Sequence, residues 1–314
     1  MIFISFLRAI ASCLITNAHY TDIYPLEIIA NGGLLGDVIF FAVSGYCLYH
    51  IKTGFFPWYG KRLLRCYVPV FICTLVYILL GAYSLEEWTI FDYFVYPTYY
   101  HFVASIVLLY VPFYFIMKFS QLRERLPYII IGILFLMLII YVFVYDKSYY
   151  HIDNVRQWMI RFLFFESMLL GALFRQRDNM YRGKRSLPAM IGTIIFAIGY
   201  FICKISLSKG LLPYELQILN QFVLYGFLIC IFRYFIGLDQ QLPSAPNWVK
   251  KFVDFIAGRT LEIYLVQYVL IDLLRPVGKF PLNWICITAS IILSASVLHF
   301  LSEFITRRIT KLIF

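Results

Sequence analysis

The chain has 314 residues, 62% of them hydrophobic and only 14% charged, with a formal net charge of +10 and a mean hydropathy of +0.79. That much apolar surface excludes a soluble protein of this length, whose exterior still needs polar and charged groups. The basic excess falls between apolar runs, which points away from nucleic acid and toward membrane topology and anionic lipid.

Apolar runs of membrane-spanning length recur along the whole chain. In order, the predicted spans are 2–19, 34–51, 66–83, 100–118, 127–145, 157–175, 187–203, 215–236, 255–274 and 283–305. The first and sixth are the weakest by hydropathy. Ile10-Ala11-Ser12-Cys13 loosely resembles a lipoprotein cleavage box. No Lys or Arg precedes that apolar region and Arg8 interrupts it, so the segment reads as a retained helix. Lys and Arg alternate between connections. Nineteen fall in the even-numbered connections and the tail, six in the odd-numbered ones, and Arg8 and Arg161 stay within spans. The positive-inside rule then places both termini in the cytoplasm. The stretch from Gly237 to Asp254, with Pro243 and Pro246, reads as a cytoplasmic loop. The fold expected is an all-α polytopic membrane protein with about ten transmembrane helices. It forms one integral-membrane domain over 1–314, with no soluble domain. The seven cysteines mostly fall within apolar runs and show no CxxC or His/Cys ligand spacing, so they read as small buried hydrophobes and no metal is expected.

Ionisable groups inside such spans are costly, at least about 2.5–3.5 kcal/mol each on insertion scales. Arg8 and His19 share the first span with ten residues between them. Eleven steps of about 100° return them to nearly one helical face, roughly 16 Å apart along the axis. The topology puts Arg8 about a third of the way in from the cytoplasm and His19 at the outer mouth. Imidazole is the usual general base near neutral pH, and a fixed guanidinium holds phosphate or a developing oxyanion. The structural alternatives are an interfacial histidine and a snorkelling or ion-paired arginine. Asp37 opens the second span on the outer side. It either orients the His19 ring, as a carboxylate does in a catalytic triad, or caps its own helix. Ser44 and Gly45, small residues in that span, let another helix or a substrate chain approach closely. Arg62 and Arg65, three apart at the cytoplasmic mouth of the third span, suit the phosphates of a cytosolic donor or ordinary positive-inside anchoring. Glu262 lies at a depth similar to Arg8, and Glu166 near the middle of the sixth span; both are supporting candidates. His101, His299, Glu303, Gln267 and Asp272 read as interfacial or packing residues. Intramembrane Arg and Glu also mark transport paths, so a transporter or flippase for a lipid-linked sugar or small anion is the alternative function.

These stretches resemble the acyltransferase family 3 integral-membrane proteins. The resemblance rests on Leu7-Arg8-Ala9-Ile10-Ala11 with His19, on Phe40-Phe41-Ala42-Val43-Ser44-Gly45-Tyr46, and on Lys61-Arg62-Leu63-Leu64-Arg65 with Pro69. Looser matches run from His101-Phe102 to Tyr110 and Pro112, and from Thr260 to Gln267. The resemblance implies O-acylation, usually acetylation, of a carbohydrate at the cell envelope, with cytosolic acetyl-CoA (acyl-CoA) as donor. It implies Arg8, His19, Ser44, Gly45, Arg62 and Arg65 as site residues, and a bacterial inner membrane as the location. Partners implied are a carbohydrate acceptor at the outer face, the lipid bilayer and envelope-biosynthesis proteins, and not nucleic acid. The chain departs from the family at Gln267, where many relatives have His, and at Glu303-Phe304-Ile305, where many have a Glu-Lys-Pro-like tail.

Overall fold

The computed structural model describes residues 1–313. Helices hold 76% of the residues and no strand occurs among those described, so each segment satisfies its backbone groups internally, as a bilayer requires. In chain order the helices are α1 (Ile2–Ala18), α2 (Gly33–Leu48), α3 (Phe55–Leu79), α4 (His101–Lys118), α5 (Ser120–Glu124), α6 (Leu126–Phe143), α7 (Ile160–Gln176), α8 (Asp178–Tyr181), α9 (Leu187–Ser208), α10 (Ile218–Leu238), α11 (Asn247–Gly258), α12 (Thr260–Leu274) and α13 (Leu282–Ile313).

Nine of the ten predicted spans fall on one helix each, and the ninth in order, 255–274, covers the end of α11 and all of α12. Seven are long and apolar enough to cross a membrane: α2 with the turn before it, α3, α4, α6, α9, α10 with the turn before it, and α13. The chain is therefore a multi-pass membrane protein. The remaining three predicted spans fall on α1, α7 and α12, of 17, 17 and 15 residues. At 1.5 Å per residue these cover about 22–26 Å, short of a hydrocarbon core of about 30 Å.

Two boundaries differ from expectation. The third span was placed at 66–83, yet α3 starts at Phe55. Lys61, Arg62 and Arg65 therefore lie inside a helix. Lys, Arg and Leu are good helix formers, and hydropathy marks only the apolar part of a helix, not its start. The expected loop from Gly237 to Asp254 contains most of α11, an amphipathic helix that buries Val253, Ile256 and Ala257 and exposes Trp248 and Phe252. Such a helix suits the plane of a membrane interface. Its apolar residues are too few for a hydropathy window but are spaced for one face.

The described residues divide into two compact units, interleaved in sequence. Unit 1 takes Met1–Ala11, Leu34–Ile51 and Pro112–Asp254; unit 2 takes Ser12–Gly33, Lys52–Val111 and 255–313. In unit 1, α9 packs along α10, and α7 packs on both α6 and α10. Gly226 lets the Phe196 ring lie where a side chain would stand, only 2.4 Å from the position of a Cβ. In unit 2, α3, α12 and α13 pack against one another, and the Tyr77 hydroxyl donates to the Val266 carbonyl at 3.1 Å.

Candidate functional site

Unit 1 carries Arg8, Asp37, Ser44, Gly45 and Glu166. The run Phe41 to Tyr46 lies in α2 and binds that helix to its neighbours by three separate devices. The Phe41 ring stacks on Phe164 at 4.3 Å. Gly45 meets the backbone of α7: a Cβ there would sit 1.8 Å from the Met168 carbonyl oxygen. Gly171 on α7 is the reciprocal position, 1.8 Å from the Ala42 carbonyl oxygen. The Tyr46 hydroxyl then donates to Asp178 at 2.6 Å. Arg182 pairs with Asp178 at 2.7 Å and also with Asp239. Asp239 accepts in turn from the Phe3 backbone N–H at 3.3 Å. This network fixes the start of α1, and through it the half-buried Arg8 one and a half turns on. Asp37 is buried within the first turns of α2, and Glu166 is buried in α7 within electrostatic reach of Tyr225, whose hydroxyl donates to Met137 Sδ at 3.8 Å.

Unit 2 carries His19, Arg62, Arg65 and Glu262. His19 follows the last residue of α1, in a turn held on every side. Thr16 Oγ1 donates to Gln267 Oε1 at 2.7 Å. Asn17 Nδ2 donates to the carbonyls of Ile29 and Asn31 at 2.7 and 3.0 Å, and Tyr20 bonds Thr288 at 2.8 Å. The half-buried imidazole meets the Tyr268 ring edge-to-face, centroids 5.8 Å apart. Asp272, one turn further along α12, lies within electrostatic reach of it. Arg275 holds that carboxylate at 2.8 Å and bridges to Asp22 at 3.1 Å. Sequence reasoning had ranked Asp272 and Gln267 as packing residues. Within unit 2 they are the groups that place His19 and surround it with charge. The sequence signals were their place on α12 and, at Gln267, the departure from the His of many relatives.

The second polar group of unit 2 lies where α3, α12 and α13 meet. The Arg62 guanidinium covers the Trp58 ring at 3.8 Å and donates to the Trp58 carbonyl at 2.7 Å, while its Nε–H is buried without a partner. Arg65, one turn on, is exposed. Both arginines and the buried Glu262 are within electrostatic reach of Cys66. Glu262 accepts from, or shares a proton with, His299 Nδ1 at 2.9 Å. Glu303 stands 3.9 Å from the other ring nitrogen, and Arg307 pairs with Glu303 at 2.6 Å. The pairing of Glu262 with His299 joins residues 37 apart and left no trace in either local pattern. Glu262→Ala strips a buried histidine contact of its partner and is expected to cost about 1–3 kcal/mol. Glu303→Ala, on the exposed side, is expected to cost under about 1 kcal/mol. Thermal midpoints of the two detergent-purified variants check the order, and equal midpoints would contradict it.

What these groups offer chemically is a base beside a carboxylate at the end of α1, and a pair of guanidiniums with donors to spare on α3. A family model described as an acyltransferase domain matches residues 1–301 of the chain. No curated protein matches it, and no solved structure does.

Proposed function

Because the chain belongs to acyltransferase family 3, we propose that it transfers an acetyl group from cytosolic acetyl-CoA to a hydroxyl of a cell-envelope carbohydrate, in a bacterial inner membrane. The observation that carries this reading is the family match, which spans nearly all the chain; Arg8, His19, Ser44, Gly45, Arg62 and Arg65 are the site residues that the resemblance of the sequence motifs implies. Ten spans with both termini cytoplasmic complete the proposed topology, α1, α7 and α12 being the short ones.

Arg62 and Arg65 bind the CoA phosphates, as guanidiniums on one helical face do. The acyl-bearing arm extends past Arg8, with Ser44 on its path; Gly45, closed against the Met168 carbonyl, instead packs α2 on α7. Arg8 stabilises the arm or the developing oxyanion. His19 takes the proton from the acceptor hydroxyl. The oxygen attacks the thioester carbonyl, a C–O bond forms and the C–S bond breaks. The imidazolium returns its proton to the departing thiolate, giving free CoA and the O-acetyl ester. A transient acyl-enzyme on His19 gives the same balance in two steps. Asp37 and Asp272 are the carboxylates proposed to support the imidazolium; Glu166 and Glu262 have supporting roles.

The test is thiol release from acetyl-CoA by the purified protein in nanodiscs, with and without envelope glycan. Acceptor-dependent release is expected, and uptake of substrate without thioester consumption would favour a carrier instead. In the same assay Arg62→Ala and Arg65→Ala should each raise KM for acetyl-CoA about tenfold, the worth of one charge-assisted contact of about 1.5 kcal/mol or more, with kcat at saturation little changed. An unaltered KM in both would remove the phosphate role.

A further inference from the structure

One end of unit 1 holds a concentration of buried polar atoms that the protein itself leaves unpaired. Tyr145 OH, Asp153 Oδ1, Glu166 Oε1, Tyr200 OH, Asn220 Oδ1 and both amide atoms of Gln221 have no hydrogen-bond partner. Glu166 is 1% exposed, and Tyr200, Asn220 and Gln221 are 0% exposed. Tyr145 and Asp153 lie in the connection 144–159, and the others toward the ends of α7, α9 and α10 that adjoin it and the connection 209–217. Those connections are tied together there. Gln217 Oε1 accepts from the backbone N–H of His151 and of Ile152, each at 3.0 Å, and its Nε2 donates to the Tyr149 carbonyl at 3.2 Å.

Several of the residues that carry these atoms are neighbours. Asn220 Nδ2 donates to Asp153 Oδ2 at 2.7 Å, and the Tyr150 hydroxyl bonds the same oxygen. Tyr200 is within electrostatic reach of Asp153 and of Asp37, and Lys204 of Asp153. Burial raises the Asp153 carboxyl above the usual carboxylate range. Gln221 follows Asn220 and stands one helical turn before Tyr225, so both project from one face of α10. Tyr225 reaches Glu166. Asp153, Asn220, Tyr150 and Tyr200 are thus neighbours at this end, and Gln221 and Tyr225 stand along α10 on the way to Glu166.

Native interiors leave few such groups unsatisfied, and within a bilayer no bulk solvent compensates for them. Buried waters typically make about three hydrogen bonds each, to groups of this kind. We propose that this end of unit 1 is an internal hydration site, a chain of ordered water joining Asp153 to Glu166 through Asn220, Gln221 and Tyr200. The ligand is water. The chain brings the aqueous phase at the 144–159 connection to a carboxyl that starts about 9 Å inside α7, and it explains how that helix tolerates Glu166. The inference stands apart from acyl transfer, since its test reads hydration and not turnover.

Radiolytic hydroxyl labelling with mass spectrometry of the full chain in nanodiscs tests it, because radicals formed from bound water oxidise the side chains beside it. Tyr200 should be oxidised at least fivefold faster than Phe232, a ring on α10 that is equally shut off from the surface. Gln221→Leu should slow the labelling of Tyr225 and lower the thermal midpoint, because it removes two anchors of the water chain. Labelling of wild-type Tyr200 at the Phe232 rate would overturn the proposal. So would a raised midpoint in Gln221→Leu, since an unpaired amide in a dry site is relieved by an apolar residue of the same shape.

Discussion

His19→Ala is expected to lower acyl transfer by about 10²–10⁴-fold, the usual worth of a positioned general base, and to leave the protein folded. The second half of that expectation follows from how the turn is built. Thr16, Asn17 and Tyr20 hold it through Gln267, Ile29, Asn31 and Thr288, and none of those bonds uses the imidazole. The variant loses one edge-to-face contact with Tyr268, worth about 0.5–1.5 kcal/mol, so its midpoint should fall by only a few degrees. Added imidazole should restore part of the activity, which a structural lesion would not permit. Product analysis of surface glycan from cells carrying the variant completes the test. Normal O-acetylation there would remove His19 from the chemistry, whatever the fate of the family reading.

The helices were legible because their signal is local. Nine of ten apolar intervals fell on one helix each, and a run of apolar residues long enough to span needs no partner to be recognised. Helix ends were less legible for a physical reason. The first three turns of α3 contain Trp58, Lys61, Arg62 and Arg65, side chains that favour a helix yet lower the hydropathy that marked its start. The site was legible in part. Arg8 stands on α1, while His19, expected within the same span, falls in the turn just beyond it. The carboxylate within reach of His19 in its own unit, Asp272, and the partner of Glu262, His299, come from helices that only the tertiary fold brings in. Nor does hydropathy reveal that the chain passes from one unit to the other within α1, at Ala11, and within α4, at Pro112. A helix that serves two units reads in sequence as one uninterrupted apolar run.

Gly45→Ala should be the most damaging small substitution in unit 1. The added Cβ would stand 1.8 Å from the Met168 carbonyl oxygen, and the obstacle is backbone, which cannot rotate aside as a side chain tip would. Helices α2 and α7 would have to part by more than 1 Å. That separation also loosens the Phe41–Phe164 stack and the Tyr46–Asp178 hydrogen bond. Overpacking a tight interior costs about 1–3 kcal/mol and occasionally more, and this contact belongs at the upper end. Gly171→Ala meets the Ala42 carbonyl in the same way and should behave alike. The double variant should lose less than the sum of the two, because helices already separated by one methyl admit the second more cheaply. Gly132→Ala is the control. It sits inside α6 with nothing within 4 Å of the new methyl, and in a helix interior alanine is favoured over glycine by about 0.5–1 kcal/mol. Its midpoint should hold or rise. Size-exclusion profiles and thermal midpoints of the detergent extracts read all four variants. A Gly45→Ala protein that extracts as a single peak and melts with the wild type would mean that α2 and α7 do not cross at Gly45 and Gly171.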